Sequence, residues 1–329
     1  MKYSSILKAG LLLLLFYSSN SFALQVPGPM VDVDWLDKHK NEVIIVDVRK
    51  DKKSFTKKAG KGNKIAGMQG CGAKKGSGIK VAGHIPGAVL MDWKKVRANR
   101  NVDGYDLIKL VPTKSEMEAQ MRNLGINKGD AVVITSKGTS SKDMTFITRF
   151  YWQMKYWGHD NVAILNGGTA AWNSAGKPMS RDKSRPGEGN WVAGEPRDDI
   201  RATADEVKAA INSDTQIVDG RAEDYYLGST YKKKYVYAAG HIPGAKLFQH
   251  SLLVKGDKAA EFLPQDQLRK MMESKGIDPS SPTITYCDSG HLSSGHWFVL
   301  HELMGNKNVK LFDGSMHEWT KRKNEVEGI

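Results

Sequence analysis

The chain has 329 residues, 40% of them hydrophobic, a formal charge of +13 and two cysteines. Two cysteines are too few for a disulfide scaffold, and with dispersed histidines they make no metal-ligand set. A basic chain can attract nucleic acid or anionic membrane, but the lysines are scattered in short runs such as Lys232-Lys233-Lys234, a pattern that reads as a solvated surface whose field draws in small anions.

At the start of the chain, Lys2 and Lys8 precede the apolar run Gly10 to Tyr17, and Ser21-Phe22-Ala23 has the small-x-small pattern of a cleavage site. Residues 1–23 are therefore expected to be a secretory signal cleaved after Ala23; an uncleaved N-terminal anchor is the alternative. The apolar run is too short to span a bilayer. No cysteine follows it to accept a lipid, so the mature chain is expected to be exported without a membrane span, to the periplasm of a Gram-negative bacterium. Loss of Lys2 and Lys8 takes the charge from +13 to +11. The remaining length of about 300 residues exceeds one ordinary core and favours two domains.

Val33 to Lys40 reads as a short helix and Val43 to Val48 as a buried strand ending in Asp47 and Arg49. Residues 50–80 are rich in lysine and glycine, contain Cys71 and lack periodicity, which predicts a long exposed insertion. Gly83-His84-Ile85-Pro86-Gly87-Ala88 then leads into a strand. Helical spacing comes next at Lys114 to Asn123, a strand at Ala131 to Thr135, a helix at Phe146 to Trp157, and a strand at Val162 to Leu165 that runs through Gly167-Gly168 into a helix reaching Trp172. From Lys177 to Asp199 the composition shifts to Pro, Gly, Arg and Asp, the signature of a linker.

Beyond the linker, the second half of the chain repeats the first. A helix at Thr203 to Ile211, the strand Gln216 to Arg221 and a second GHIPGA (Gly240 to Ala245) come before a strand and a helix at Pro264 to Ser274. IVDVR answers IVDGR, and GHDNVAILNGGTAAW answers GNKNVKLFDGSMHEW. The expected organisation is a first domain at 30–178, a linker at 179–199 and a second domain at 200–329. Both domains are α/β, each with a mostly parallel sheet flanked by helices.

The copies differ where chemistry would sit. In the second, Thr283 to Tyr286 is a short strand, Cys287 opens a turn-like loop, and a helix runs on to a stop at Gly305. A cysteine at the C-terminal end of a parallel strand, against a helix N-terminus, occupies the ligand-binding edge of such a sheet, where converging amides stabilise a thiolate and lower its pKa. In the first copy the matching strand ends at Ser136, and the longer loop KGTSSKDM replaces the cysteine loop. Only the second domain carries a nucleophile. A Cys71–Cys287 disulfide would silence it, while a free catalytic thiol fits the loop better; Cys71 could also act as a resolving thiol.

The doubled GHIPGA, the Asp-x-Arg strand ends, the strand-Cys287-loop-helix and the endings Asp313 to Trp319 and Asn166 to Trp172 together resemble the rhodanese family. The likeness is to tandem-domain sulfurtransferases whose N-terminal copy is catalytically silent, and it covers nearly the whole mature chain. The resemblance implies that Cys287 takes sulfane sulfur from a small anionic donor such as thiosulfate or 3-mercaptopyruvate. It would hold that sulfur as a persulfide and pass it to cyanide, a small thiol or a protein acceptor. Such chemistry needs a soft nucleophile and stabilisation of the outer sulfur without a metal or other cofactor. The loop Asp288, Ser289, Gly290, His291, Leu292 and Ser293 is expected to supply it through backbone amides, with Gly290 making the tight turn.

This loop matches neither the basic run usual in thiosulfate-type members nor the Gly-Ser-Gly run of mercaptopyruvate-type members. Asp288 would raise the thiol pKa if it faced the sulfur, and His291 could offset that with a hydrogen bond or a charge. The family's substrate arginine falls at Tyr225, leaving Arg221, His291 or a lysine near 232–234 to meet the anion, while Arg221 could equally be occupied by Asp219. His84 and His241, in both copies, read as structural, His296 and His301 as surface or packing residues, and Trp172 and Trp319 as core. The main rival to the enzyme is a sulfur- or selenium-binding carrier on the same fold, with a purely structural tandem module as a further reading. A cysteine phosphatase or arsenate reductase is disfavoured because Ser293, not arginine, stands six residues after Cys287.

Overall fold

The computed structural model describes residues 24–57, 81–183, 186–256 and 258–329. The expected leader, Cys71 and most of the lysine- and glycine-rich segment lie outside them.

The first half builds β1 (Met30–Val31), α1 (Val33–His39), β2 (Ile44–Arg49), α2 (Lys53–Thr56), β3 (Val89–Asp92), the hairpin β4 (Ala98–Val102) and β5 (Tyr105–Leu110), α3 (Lys114–Asn123), β6 (Val132–Thr135), α4 (Ser141–Tyr156), β7 (Val162–Leu165) and α5 (Gly168–Ser174). The second half builds β8 (Arg201–Ala202), α6 (Ala204–Ile211), β9 (Gln216–Asp219), α7 (Glu223–Leu227), β10 (Lys246–Leu247), the hairpin β11 (Val254–Gly256) and β12 (Ala260–Phe262), α8 (Gln265–Glu273), β13 (Thr283–Tyr286), α9 (Ser294–Trp297), β14 (Val309–Phe312) and α10 (Ser315–Lys321).

The sheets run β1-β7-β6-β2-β3 and β10-β9-β13-β14-β8, every pairing parallel. The two orders are one order repeated. Strands β6, β7 and β13 are buried along their whole length, as apolar runs must be when helices cover both sheet faces. Two outer cores, around Ile45 and Trp172 and around Ile217 and Trp319, lie on one face of each sheet. A single larger core fills both inner faces and runs across the domain boundary.

Helix α4 carries that junction. Thirteen of its 16 residues are buried, which makes it an internal helix rather than an amphipathic surface one. It starts at Ser141, five residues before the expected Phe146, because Ser140 caps it by accepting from the Asp143 N–H and Asp143 places a carboxylate in the first turn. The stretch KGTSSKDM is thus partly helix, its start hidden by the lack of apolar spacing before Met144.

Three other expectations change. Residues 50–57 are mostly exposed, as expected, but not without structure: α2 forms there and buries Ser54 and Phe55. Strand β9 ends at Asp219 rather than Arg221, since the Arg221 N–H turns back onto the Asp219 carboxylate. Beyond α9, residues Phe298–Leu303 continue as π-helix, a rare form frequently found at functional sites. The stretch after Lys177 is a fitted strap in which Trp191 is buried and donates its indole N–H to His159 Nδ1. No helix of the described residues is long and apolar enough to cross a membrane.

Candidate active site

Cys287 comes directly after β13, the central strand of the second sheet, and is a free thiol with 1% exposure. The loop beyond it is shaped from the next crossover. Ser315, a non-glycine residue at φ +50°, accepts hydrogen bonds from the Cys287 and Gly290 N–H groups through Oγ and donates to the Phe312 carbonyl. The Met316 and His317 N–H groups bind the carbonyls of Cys287 and Asp288. Gly290 has φ +64°, and a Cβ there would stand 2.6 Å from Arg149 Nη1 and from the Asp313 carbonyl. Only glycine fits both constraints.

The Gly290 amide therefore does not join the expected cradle, since Ser315 takes it. The amides of Asp288, Ser289, His291, Leu292 and Ser293 bind no acceptor among the described residues. Ser293 stands at the N-cap of α9, wholly buried, its Oγ likewise without a partner. These groups, together with the short helix start, are what the loop can offer to an anionic sulfur.

His291 cannot supply a charge. Its ring is stacked on Phe146 at 4.9 Å and packs on Trp93 at 4.4 Å, with Nε2 3.0 Å from Thr145 Oγ1. Burial, then the cations Arg97, Lys142 and Arg149, push its pKa well below the ordinary value. It is a neutral pin between the domains. Asp288 lies on the cavity wall, and burial raises its pKa against the pull of Arg221 and Lys232.

Arg221 is held rather than free. Nε and Nη2 grip the Asp219 carboxylate, Nη2 also reaches the Gly240 carbonyl, and despite burial this pairing holds its pKa up. Only Nη1 is left without a hydrogen bond, 3.8 Å from Asp288 Oδ1. At the position of the missing arginine, the Tyr225 hydroxyl accepts from Lys232 Nζ at 2.7 Å. His84 and His241 each bond a backbone carbonyl through Nδ1 and stack on Phe55 and Tyr226. Buried His296 has Nε2 against the Phe248 carbonyl, and His301 stacks on Trp297.

Above Cys287 opens a cavity of about 510 Å³. The second domain lines it with Arg221, Tyr225, Lys232, Tyr235, His250 and the loop, and the first domain adds Lys50, Trp93, Lys94, Arg97, Lys109, Lys142 and Phe146. No residue spacing singles out the first-domain set in the sequence. One signal could have found two of them: Asp103-Gly104, at φ +50° and +82°, form the two-residue turn of a hairpin that brings Lys109 to the cavity, with Arg97 just before its first strand. Among the described residues no group of three or more His, Cys, Asp or Glu could hold a metal.

A rhodanese-like domain matches residues 32–175 and again 203–322. The chain belongs to the rhodanese family. A Haloferax volcanii protein provisionally named thiosulfate sulfurtransferase is 32% identical over 72% of this chain and 80% of its own length. One from Mycobacterium bovis, with a like name, is 30% identical over 88% of the chain and 94% of its own. The 3-mercaptopyruvate sulfurtransferase SseA from Escherichia coli shares the fold, with a TM-score of 0.66 at 23% identity over 88% of this chain and 98% of that one. So does an anaerobic ergothioneine biosynthesis enzyme from Chlorobium limicola, at 0.69 and 23% over 92% and 70%. The chain is a sulfurtransferase of two parallel-sheet units.

Proposed function

We propose that the protein is exported and moves sulfane sulfur from thiosulfate, or from 3-mercaptopyruvate, to cyanide or a thiol through a persulfide on Cys287. The observation that carries this reading is a free thiol at the end of the central strand, at the base of a cavity ringed by cations and faced by unpaired loop amides. In the first step the thiolate attacks the outer sulfur of thiosulfate, the S–S bond breaks, and sulfite leaves with the electron pair. With 3-mercaptopyruvate a C–S bond breaks instead, and the carbon fragment leaves as the enolate of pyruvate. The acceptor then attacks the outer sulfur, its bond to Sγ breaks, and the thiolate returns. Export is supported by the apolar run and Ser21-Phe22-Ala23, and predicts a mature N-terminus at Leu24.

Intact-protein mass spectrometry tests the transfer. After thiosulfate and, separately, 3-mercaptopyruvate, the wild type should gain one sulfur atom and lose it to cyanide, while Cys287→Ser should gain none. No gain from either donor with the thiol shown free would sink the turnover reading and favour the sulfur- or selenium-binding carrier.

A further inference from the structure

A donor anion finds little on the second domain: Asp219 occupies most of Arg221, and Lys232 is bonded to Tyr225. The β4–β5 hairpin of the first domain, in contrast, reaches over the site with its cations unspent. Its register shifts between Ala98 and Arg100, and across the bulge Lys109 sits at φ +65°, its N–H on Asn99 Oδ1. A left-handed lysine costs about 1–2 kcal/mol, and such outliers and bulges gather where a side chain must be aimed.

The residues on either side of Lys109 are fixed to the second domain. The Ile108 N–H donates to His317 Nε2, which requires the His317 proton on Nδ1, where it donates to the Tyr235 carbonyl; the Val111 N–H donates to Asp313 Oδ2. So held, Lys109 places Nζ 3.1 Å from the Tyr235 ring centroid on the cavity wall. Arg97 lies over Trp93 at 4.3 Å, its Nε buried without a partner. Neither cation has a carboxylate at ion-pair distance among the described residues.

We propose that Lys109 and Arg97, from the domain without the nucleophile, form the binding site for the anionic group of the sulfur donor above Cys287. The inference rests on sulfur transfer at Cys287. Burial and the neighbouring cations already lower Lys109 to about 8 and Arg97 to about 10, a cost that a bound anion relieves. The second domain's hairpin supplies the control. It clasps the Ser136 loop in the mirrored way, through the Ala260 N–H on the Gly138 carbonyl and the Phe262 N–H on Asn166 Oδ1. There the matching segment is Ala260-Glu261-Phe262 and carries no cation.

The experiment is thiosulfate binding to the Cys287→Ala protein by calorimetry, which needs no chemistry. Lys109→Gly, which keeps the left-handed backbone, should weaken the Kd about tenfold, and Lys109→Arg should recover most of it. In the protein with Cys287, the same change should raise the donor KM about tenfold with kcat nearly kept. Lys109→Asn, also tolerant of positive φ, guards against a folding defect. Unchanged thiosulfate affinity in a folded Lys109→Gly or Lys109→Asn variant overturns the proposal, as does no affinity in the parent. Lys109-dependent binding without sulfur uptake would keep the site and reject the proposed persulfide transfer at Cys287.

Discussion

The Ser136 loop and the Cys287 loop are one backbone put to two uses. In both, the strand-end carbonyls are met by amides of the following crossover: Thr169 and Ala170 bind Ser136 and Lys137, as Met316 and His317 bind Cys287 and Asp288. In the first domain the side chains nearby are satisfied, although loop amides there, such as those of Lys137 and Gly138, also bind no acceptor among the described residues. Ser136 Oγ donates to the Asp143 carbonyl, Gly168 stands where the second domain has Ser315, and Arg49 spends Nη1 on Ser54 Oγ after gripping Asp47. The second domain keeps the frame and leaves side-chain groups open beside the thiol: Arg221 Nη1 and Ser293 Oγ. A sheet edge becomes a site by what its frame leaves unpaired, because only unspent donors are available to a ligand.

The comparison breaks most severely at the turn. Gly290→Ala would force a Cβ against Arg149 Nη1 and the Asp313 carbonyl while holding φ +64°, and should cost roughly 2–4 kcal/mol. Gly87→Ala, at φ +81° with nothing within 4 Å of the added methyl, should cost about 1 kcal/mol. Denaturant melts of both, with sulfur uptake followed for Gly290→Ala, check this. Arg149 and Asp313 form a buried ion pair at 2.6 Å between the domains, and equal costs would mean that this pair yields and does not shape the loop.

A smaller effect tests the division of labour between nucleophile and charge. Lys109 is faced by Arg97 and Lys232, by Asp288 and Cys287, and by the Tyr235 ring. Burial first, then Arg97, lowers its pKa to about 8. An anion binds the protonated form, so thiosulfate affinity for Cys287→Ala should be flat below that pH and fall as pH rises through it. The slope should vanish in Lys109→Gly, while Arg97, lowered only to about 10, stays charged. An affinity that rises over the same window would remove Lys109 from the donor site.

Much of this frame is legible in the sequence, because a doubled GHIPGA, paired Asp-x-Arg strand ends and a strand-Cys287-loop-helix are local patterns. The rest depends on contacts far apart in the chain. That His291 would be stacked between Trp93 and Phe146 and held neutral, or that Ser315 would take the Gly290 amide, results from packing between segments that no spacing relates. The hairpin bearing Lys109 is an intermediate case. Its Asp103-Gly104 turn is a local signal, but its role appears only once Ile108 and Val111 are found on His317 and Asp313.

The smallest change asks whether the two arginines are alike. Ser54→Ala would strip Arg49 Nη1 of its partner and give the first domain the open guanidinium of Arg221. A buried N–H left unmet costs about 1–3 kcal/mol. Arg49, however, borders its own cavity of about 360 Å³, where water can replace the hydroxyl. The expected loss is therefore near 1 kcal/mol in a denaturant melt, with turnover unchanged, since Ser54 touches nothing in the Cys287 cavity. A loss of 3 kcal/mol would show that the open guanidinium is tolerated only beside the cysteine loop. A fall in turnover would instead show that strain at the Asp47–Arg49 pair reaches Lys50, which lines both cavities.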